Sequence, residues 1–177
     1  MNNTRSTIAL FIALLAAVGA ASRLVEHMPN FAPITALAVI SGYYLRGRWS
    51  WLVPMLAMLL SDAIIGFYSL PVMVSVYGCY LAAWALARNA SALTSLAWRT
   101  LTSSILFFVV TNAAVWAYSG MYSKTFAGLL QSYIMAIPFF RASFASDMIY
   151  TAVFVAIVQA VLSYQSKSLT TSEYAKA

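Results

Sequence analysis

The chain has 177 residues, 63% of them hydrophobic and 8% charged, with a formal net charge of +6 and a mean hydropathy of +0.83. A soluble domain carries about a quarter of its residues as charges, so water is not the main solvent here and an integral membrane protein is implied. The length suits one domain over residues 1–165, followed by a polar tail over 166–177 that reads as disordered.

Apolar runs of roughly 17–25 residues mark spanning helices. In chain order they fall at about 7–23, 32–46, 50–68, 71–87, 101–118 and 145–163, which makes an all-α bundle of six transmembrane helices. The first run begins after Arg5 and ends in Ala17-Val18-Gly19-Ala20-Ala21, so it also resembles a secretory signal peptide. We read it as a true helix. Ala9, Ala13, Ala16, Ala17, Ala20 and Ala21 on it form overlapping small-xxx-small patterns, suited to packing within the chain or to docking a separate membrane subunit. The second run is short and holds Gly42, which suits a tilted or interfacial segment. Between the fifth and sixth runs, Ser119 to Arg141 is broken by Gly120, Lys124, Gly128 and Pro138 and reads as a long loop against the membrane surface.

The cations orient the bundle. With six spans and both termini cytoplasmic, Arg5, Arg46, Arg48, Arg88, Arg99, Lys167 and Lys176 are inside, and Arg23, Lys124 and Arg141 outside. Seven against three satisfies the positive-inside rule. The basic charge is thus a topology signal and no argument for a nucleic-acid partner. Trp49, Trp51 and Trp98 fall at cytoplasmic ends, as an aromatic belt requires.

Unusual polar residues gather on the outer side. Arg23, Glu26 and His27 precede Pro29-Asn30-Phe31-Ala32-Pro33. Asp62 lies ~21 Å of helical rise beyond Arg48, and Cys79 ~12 Å below Pro71. Arg141 and Asp147 flank the start of the sixth span. Ionisable groups in a bilayer face a cavity or one another. Taken singly, Asp62, Arg141 and Asp147 are as well explained by helix-to-helix pairing; their convergence favours an outward-facing polar pocket. His27 alone is weak, since a loop histidine is more often solvated than a metal ligand. Asn112 is best read as an interhelical hydrogen-bonding group.

Cys79, the single cysteine, lies between Gly78 and Tyr80 with Tyr77 close by. It has no internal disulfide partner, so its use is packing or ligation, and spacing alone favours packing. No phosphate loop, zinc-ligand set or Ser-His-Asp arrangement is visible, so the chain shows no ATPase of its own. An acid–base enzyme using Asp62 or Asp147 is the reading from another class.

In order, His27-Met28-Pro29-Asn30-Phe31-Ala32-Pro33, Ser61-Asp62, Thr111-Asn112-Ala113, Ala136-Ile137-Pro138-Phe139-Phe140 and Asp147 resemble the solitary cobalamin transporters of the BtuM family. These are related to the S-components of energy-coupling-factor (ECF) vitamin transporters. The similarity runs from about residue 20 to residue 160. It implies an ECF S-component-like bundle in the inner membrane of a Gram-negative bacterium, carrying cobalamin or cobinamide into the cytoplasm. Cys79 then matches the expected axial ligand to cobalt, with His27, Asp62, Tyr77, Tyr80, Arg141 and Asp147 as corrinoid contacts. Under this resemblance cobalamin is cargo, and no free metal ion is expected. The partners are the corrinoid, the lipid bilayer and a periplasmic or outer-membrane corrinoid delivery system, while solitary operation is favoured over an ECF module. An electron-donating thiolate on cobalt would also labilise cyanide on the opposite face, giving Cys79 a decyanation role. The alternative is an S-component for another small nutrient, working with a separate ATPase module, in which Cys79 is structural.

Overall fold

The computed structural model describes residues 2–24, 32–45 and 47–174. The described residues are helical apart from short connections, with α1 at Asn2–Ser22, α2 at Ile34–Ile40, α3 at Leu52–Ile65, α4 at Leu70–Arg88, α5 at Leu96–Tyr118 and α6 at Phe126–Tyr174. A π-helical turn, Ser41–Leu45, extends α2, and a 3-10 turn, Leu93–Ser95, leads into α5.

Among the described residues, three segments are long and apolar enough to cross a membrane: Leu70–Arg88, Leu93–Tyr118 and Phe126–Ser166. The apolar parts of the others, Ser6–Ser22, Ile34–Leu45 and Leu52–Ile65, are shorter. The outward faces of the helices are greasy, and the inward faces carry polar residues beside apolar ones. On α5 the buried set is Leu96, Thr100, Ser103, Ser104 and Thr111, whereas Ile105, Val109 and Val110 are exposed. On α3, Ser61 and Asp62 are buried while Leu56, Leu60 and Ile64 are exposed. This pattern would be a liability in water and is the stable one in lipid.

α2 is the exception, because all seven of its residues are buried. It touches α1, α3, α4, α5 and α6, so it is a core helix and not a lipid-facing one. Irregular or short helix at membrane depth is tolerated where protein surrounds it, which explains why a segment of this length persists. Pro33 stands at its N-terminal cap. At its other end Gly42 allows a close approach to α4: a Cβ there would meet the Trp84 carbonyl oxygen at 2.5 Å and the Arg88 nitrogen at 3.2 Å.

α6 departs most from expectation. The stretch read as a surface loop, 119–141, is a loop only to residue 125; the helix starts at Phe126 and runs through Pro138 without a break. Neighbouring contacts hold this arm. The Tyr133 hydroxyl donates to the Val109 carbonyl at 2.7 Å, and Phe108 stacks on both Tyr133 and Phe140. The preceding turn is closed by Trp116 Nε1 donating to the Ser123 carbonyl at 2.9 Å and by Lys124 donating to the Trp116 carbonyl. Proline is tolerated inside membrane helices for this reason, since neighbours compensate the lost hydrogen bond. The 49 residues of α6 span ~74 Å, more than twice the ~30 Å hydrocarbon thickness. Its end at Tyr174 falls within the stretch expected as a polar tail.

The tight approach at Gly42 is testable against Gly78, whose Cβ would meet nothing within 4 Å. Gly42→Ala is expected to cost about 1–3 kcal/mol, while Gly78→Ala gains up to about 1 kcal/mol through helix propensity. Thermal midpoints in detergent give both values, and equal midpoints would refute the close approach.

Candidate functional site

The ends of α1 and α3, the start of α2, the first half of α4, the second half of α5 and the middle of α6 meet at one end of the bundle. They enclose a cavity of about 340 Å³ lined in part by Arg23, Thr35, Tyr68, Tyr80, Phe107 and Asp147. A second cavity of about 250 Å³ lies between α4, α5 and α6, with Thr111, Asn112 and Phe140 on its wall. Val76, Phe107 and Ser143 belong to both, so the two are neighbours divided by these side chains.

The strongest polar contact is at the cavity wall. Arg23 Nη2 meets Asp62 Oδ1 at 2.7 Å, with side-chain exposures of 19% and 1%. The other arm of the guanidinium donates to the Ser61 hydroxyl and the Met58 carbonyl. Tyr77 donates to Asp62 Oδ2 at 2.8 Å. Both carboxylate oxygens are therefore satisfied, as a buried charge requires. Asp147, 2% exposed, is held differently: Ser104 Oγ lies 2.6 Å from its Oδ2, and Thr35 supplies a further hydrogen bond. Ser146 ties α6 to the start of α2 by donating to the Ala32 carbonyl at 3.2 Å.

At the mouth, Tyr68 lies in the connection between α3 and α4. Burial, reinforced by the Asp62 carboxylate and opposed by Arg23, pushes its hydroxyl up to about 12. It stays neutral across the physiological range and remains a hydrogen-bond donor. Tyr80 lines the cavity and packs on Phe107 with ring centroids 5.3 Å apart.

Cys79 is 4% exposed and does not line either cavity. It shares a buried face of α4 with Ala83 and Ala87 at i, i+4 and i+8, and α4 packs against α2 and the π-turn. Val76 and Tyr80, three residues before and one after it, are cavity residues. Arg141 is exposed on α6 and lies outside both linings. Asn112 donates within its own helix, to the Phe108 carbonyl at 2.7 Å, rather than across to another. His27 lies outside the described residues.

Asp62, Tyr77, Tyr80 and Asp147 are thus gathered at one end of the bundle. Arg23, expected among the outer polar groups but not as a ligand contact, completes the site together with Thr35, Tyr68 and Ser104, which were not singled out. Arg23 alone carried a signal, being a cation at the end of an apolar run in a chain with so few acids. Hydroxyl residues such as Thr35 and Ser104 carry none, because buried threonine and serine are common in membrane helices.

The fold and site define an all-helical protein with three membrane-length apolar helices and a polar cavity at one end. Residues 2–170 match the family described as a family of unknown function (DUF6580), and the chain belongs to that family. No curated protein and no solved structure matches it.

The ion pair predicts a specific energetic pattern. Arg23→Ala leaves Asp62 buried without a counter-charge and should cost about 3 kcal/mol. Adding Asp62→Asn removes the stranded charge, so the double variant should be less destabilised than the two single losses summed. Unfolding midpoints in detergent decide this, and full additivity would show the two residues to be uncoupled.

Proposed function

We infer that the chain is a bacterial inner-membrane carrier that binds a small polar solute in the cavity and moves it into the cytoplasm. In this reading all six helices are embedded in the membrane, both termini are cytoplasmic and the cavity faces outward. One observation carries it: Arg23, paired with Asp62, and Asp147 line a cavity inside a bundle whose outer faces are apolar. Ionisable groups are expensive at membrane depth, and they persist where they line a substrate pathway.

The cargo suggested by the BtuM resemblance is a corrinoid, with Cys79 as the axial ligand to cobalt. Cobalt accepts a soft thiolate. Val76 and Tyr80, which lie near Cys79 on α4, line the cavity. A whole corrinoid with its amide arms is larger than the 340 Å³ cavity. In this reading, loading it displaces Val76, Phe107 and Ser143 and opens the two cavities beyond their combined size. Tyr68, Tyr80 and Asn112 would then meet the amide-rich rim.

A second reading is favoured by the position of Cys79 on a packing stripe with Ala83 and Ala87. The cargo is then a smaller nutrient that fits the cavity as it stands, within the usual range for small-molecule sites. In that case the cysteine is a core residue.

Visible spectroscopy separates them. Protein purified from cells grown with cobalamin is expected to be coloured, with a spectrum showing sulfur on cobalt that disappears in Cys79→Ala. A Cys79→Ser protein with the wild-type spectrum would sink the cobalt ligation. A colourless wild-type protein, with uptake of another nutrient undiminished in Cys79→Ala, supports the second reading.

A further inference from the structure

Two buried carboxylates stand at the same end of the bundle and are treated differently. Asp62 is neutralised by Arg23 at 2.7 Å. Asp147 has no cation within ion-pair distance among the described residues; its partners are the hydroxyls of Ser104 and Thr35. A carboxylate buried at membrane depth without a counter-charge is strongly disfavoured, and the usual relief is to take up a proton.

The hydroxyl geometry points the same way. Ser104 Oγ lies 2.6 Å from Asp147 Oδ2 and 3.0 Å from the Thr100 carbonyl oxygen, yet a serine has a single proton to donate. If Asp147 is ionised, that proton must serve both acceptors. If Asp147 is protonated, its own O–H donates to Ser104 Oγ, and the serine proton is free for the carbonyl. Each contact then has its own proton.

The surroundings leave Asp147 as the group that titrates. Arg23 from α1 is committed to Asp62 of α3. From α4 come Tyr77, Cys79 and Tyr80, and from the α3–α4 connection Tyr68. Thr35 of α2 and Ser104 of α5 do not ionise near neutrality. On α6 itself Tyr150 follows one turn later, and Arg141 is exposed.

Polar contacts recur along α6 away from the cavity. Thr151, one turn beyond Asp147, accepts from Thr100 at 3.3 Å. Beyond Val155, Gln159 donates to the Tyr44 hydroxyl at 2.9 Å. Ser143, Asp147 and Thr151 follow one another at four-residue intervals, and Gln159 comes eight residues after Thr151.

We propose that Asp147 is a proton-binding site that couples cargo movement to protons. It takes one proton from the solution on the cavity side, carries it as the neutral acid while the cargo crosses, and releases it on the opposite side. One proton enters and one leaves; no other bond changes. The coupling rests on the carrier reading above, whereas the proton site does not depend on which solute is carried.

Infrared difference spectroscopy of the full chain in lipid, without cargo, reads the carbonyl stretch of a protonated carboxylic acid. The expected result is an acid band at neutral pH that disappears on alkalinisation and is missing from Asp147→Asn. Asp147→Glu keeps the acid and should shift the band, which guards against a variant that does not fold. No acid band at neutral pH, or a band that survives in Asp147→Asn, overturns the proposal. In proteoliposomes, accumulation of labelled cyanocobalamin should follow an inward proton gradient and be lost in Asp147→Asn. Accumulation indifferent to the gradient overturns the coupling. Failure of cyanocobalamin to bind counts against the corrinoid reading alone, because the infrared band is read without it.

Discussion

Hydrocarbon offers no hydrogen bonds, so every polar side chain at membrane depth must find its partner inside the bundle. That constraint shapes this chain more than any single hydrophobic contact. Thr100, Ser103, Ser104 and Thr111 of α5 all face inward, and so do Ser61 and Asp62 of α3. The Arg23–Asp62 pair meets the same demand most forcefully, because it joins the end of α1 to α3 with a charge on each side. The cavity lies beside the Arg23–Asp62 pair and Asp147, whose polar groups already have partners within the bundle.

The class of protein was legible from composition, and two of the long helices nearly to their ends: 71–87 was expected where α4 runs Leu70–Arg88, and 101–118 where α5 runs Leu96–Tyr118. Length and hydropathy decide such segments, and both are local properties. The first arm of α6 was not legible, because Gly128 and Pro138 are helix breakers in water. What sustains that arm is the contact of Tyr133 and Phe140 with Phe108, which is long-range. α2 was read as a possible span because its residues are apolar, and apolarity does not distinguish a helix facing lipid from one enclosed by protein. Only its shortness hinted at the difference.

The candidate site shows the same division. Asp62 and Asp147 stood out because acids are rare in this chain, and Tyr77 and Tyr80 because they neighbour the one cysteine. Which acid would be paired was beyond the sequence, since Arg23 and Asp62 lie 39 positions apart and meet only through the packing of α1 on α3. Cys79 illustrates the opposite difficulty. A buried thiol among alanines and a ligand behind a gate have the same spacing on a helix, and they differ only in what moves.

The enclosure of α2 has a consequence for biogenesis. A seven-residue helix with a π-turn is too short to be threaded into a bilayer as a stable span of its own. Its buried face is completed by α4, α5 and α6, all of which are synthesised later. The segment after α1 must therefore wait, sheltered near the interface or by the insertion machinery, until the C-terminal half of the chain arrives. Assembly of this bundle is completed when its last helix packs onto its second, and a chain truncated before α6 would leave that side of α2 uncovered.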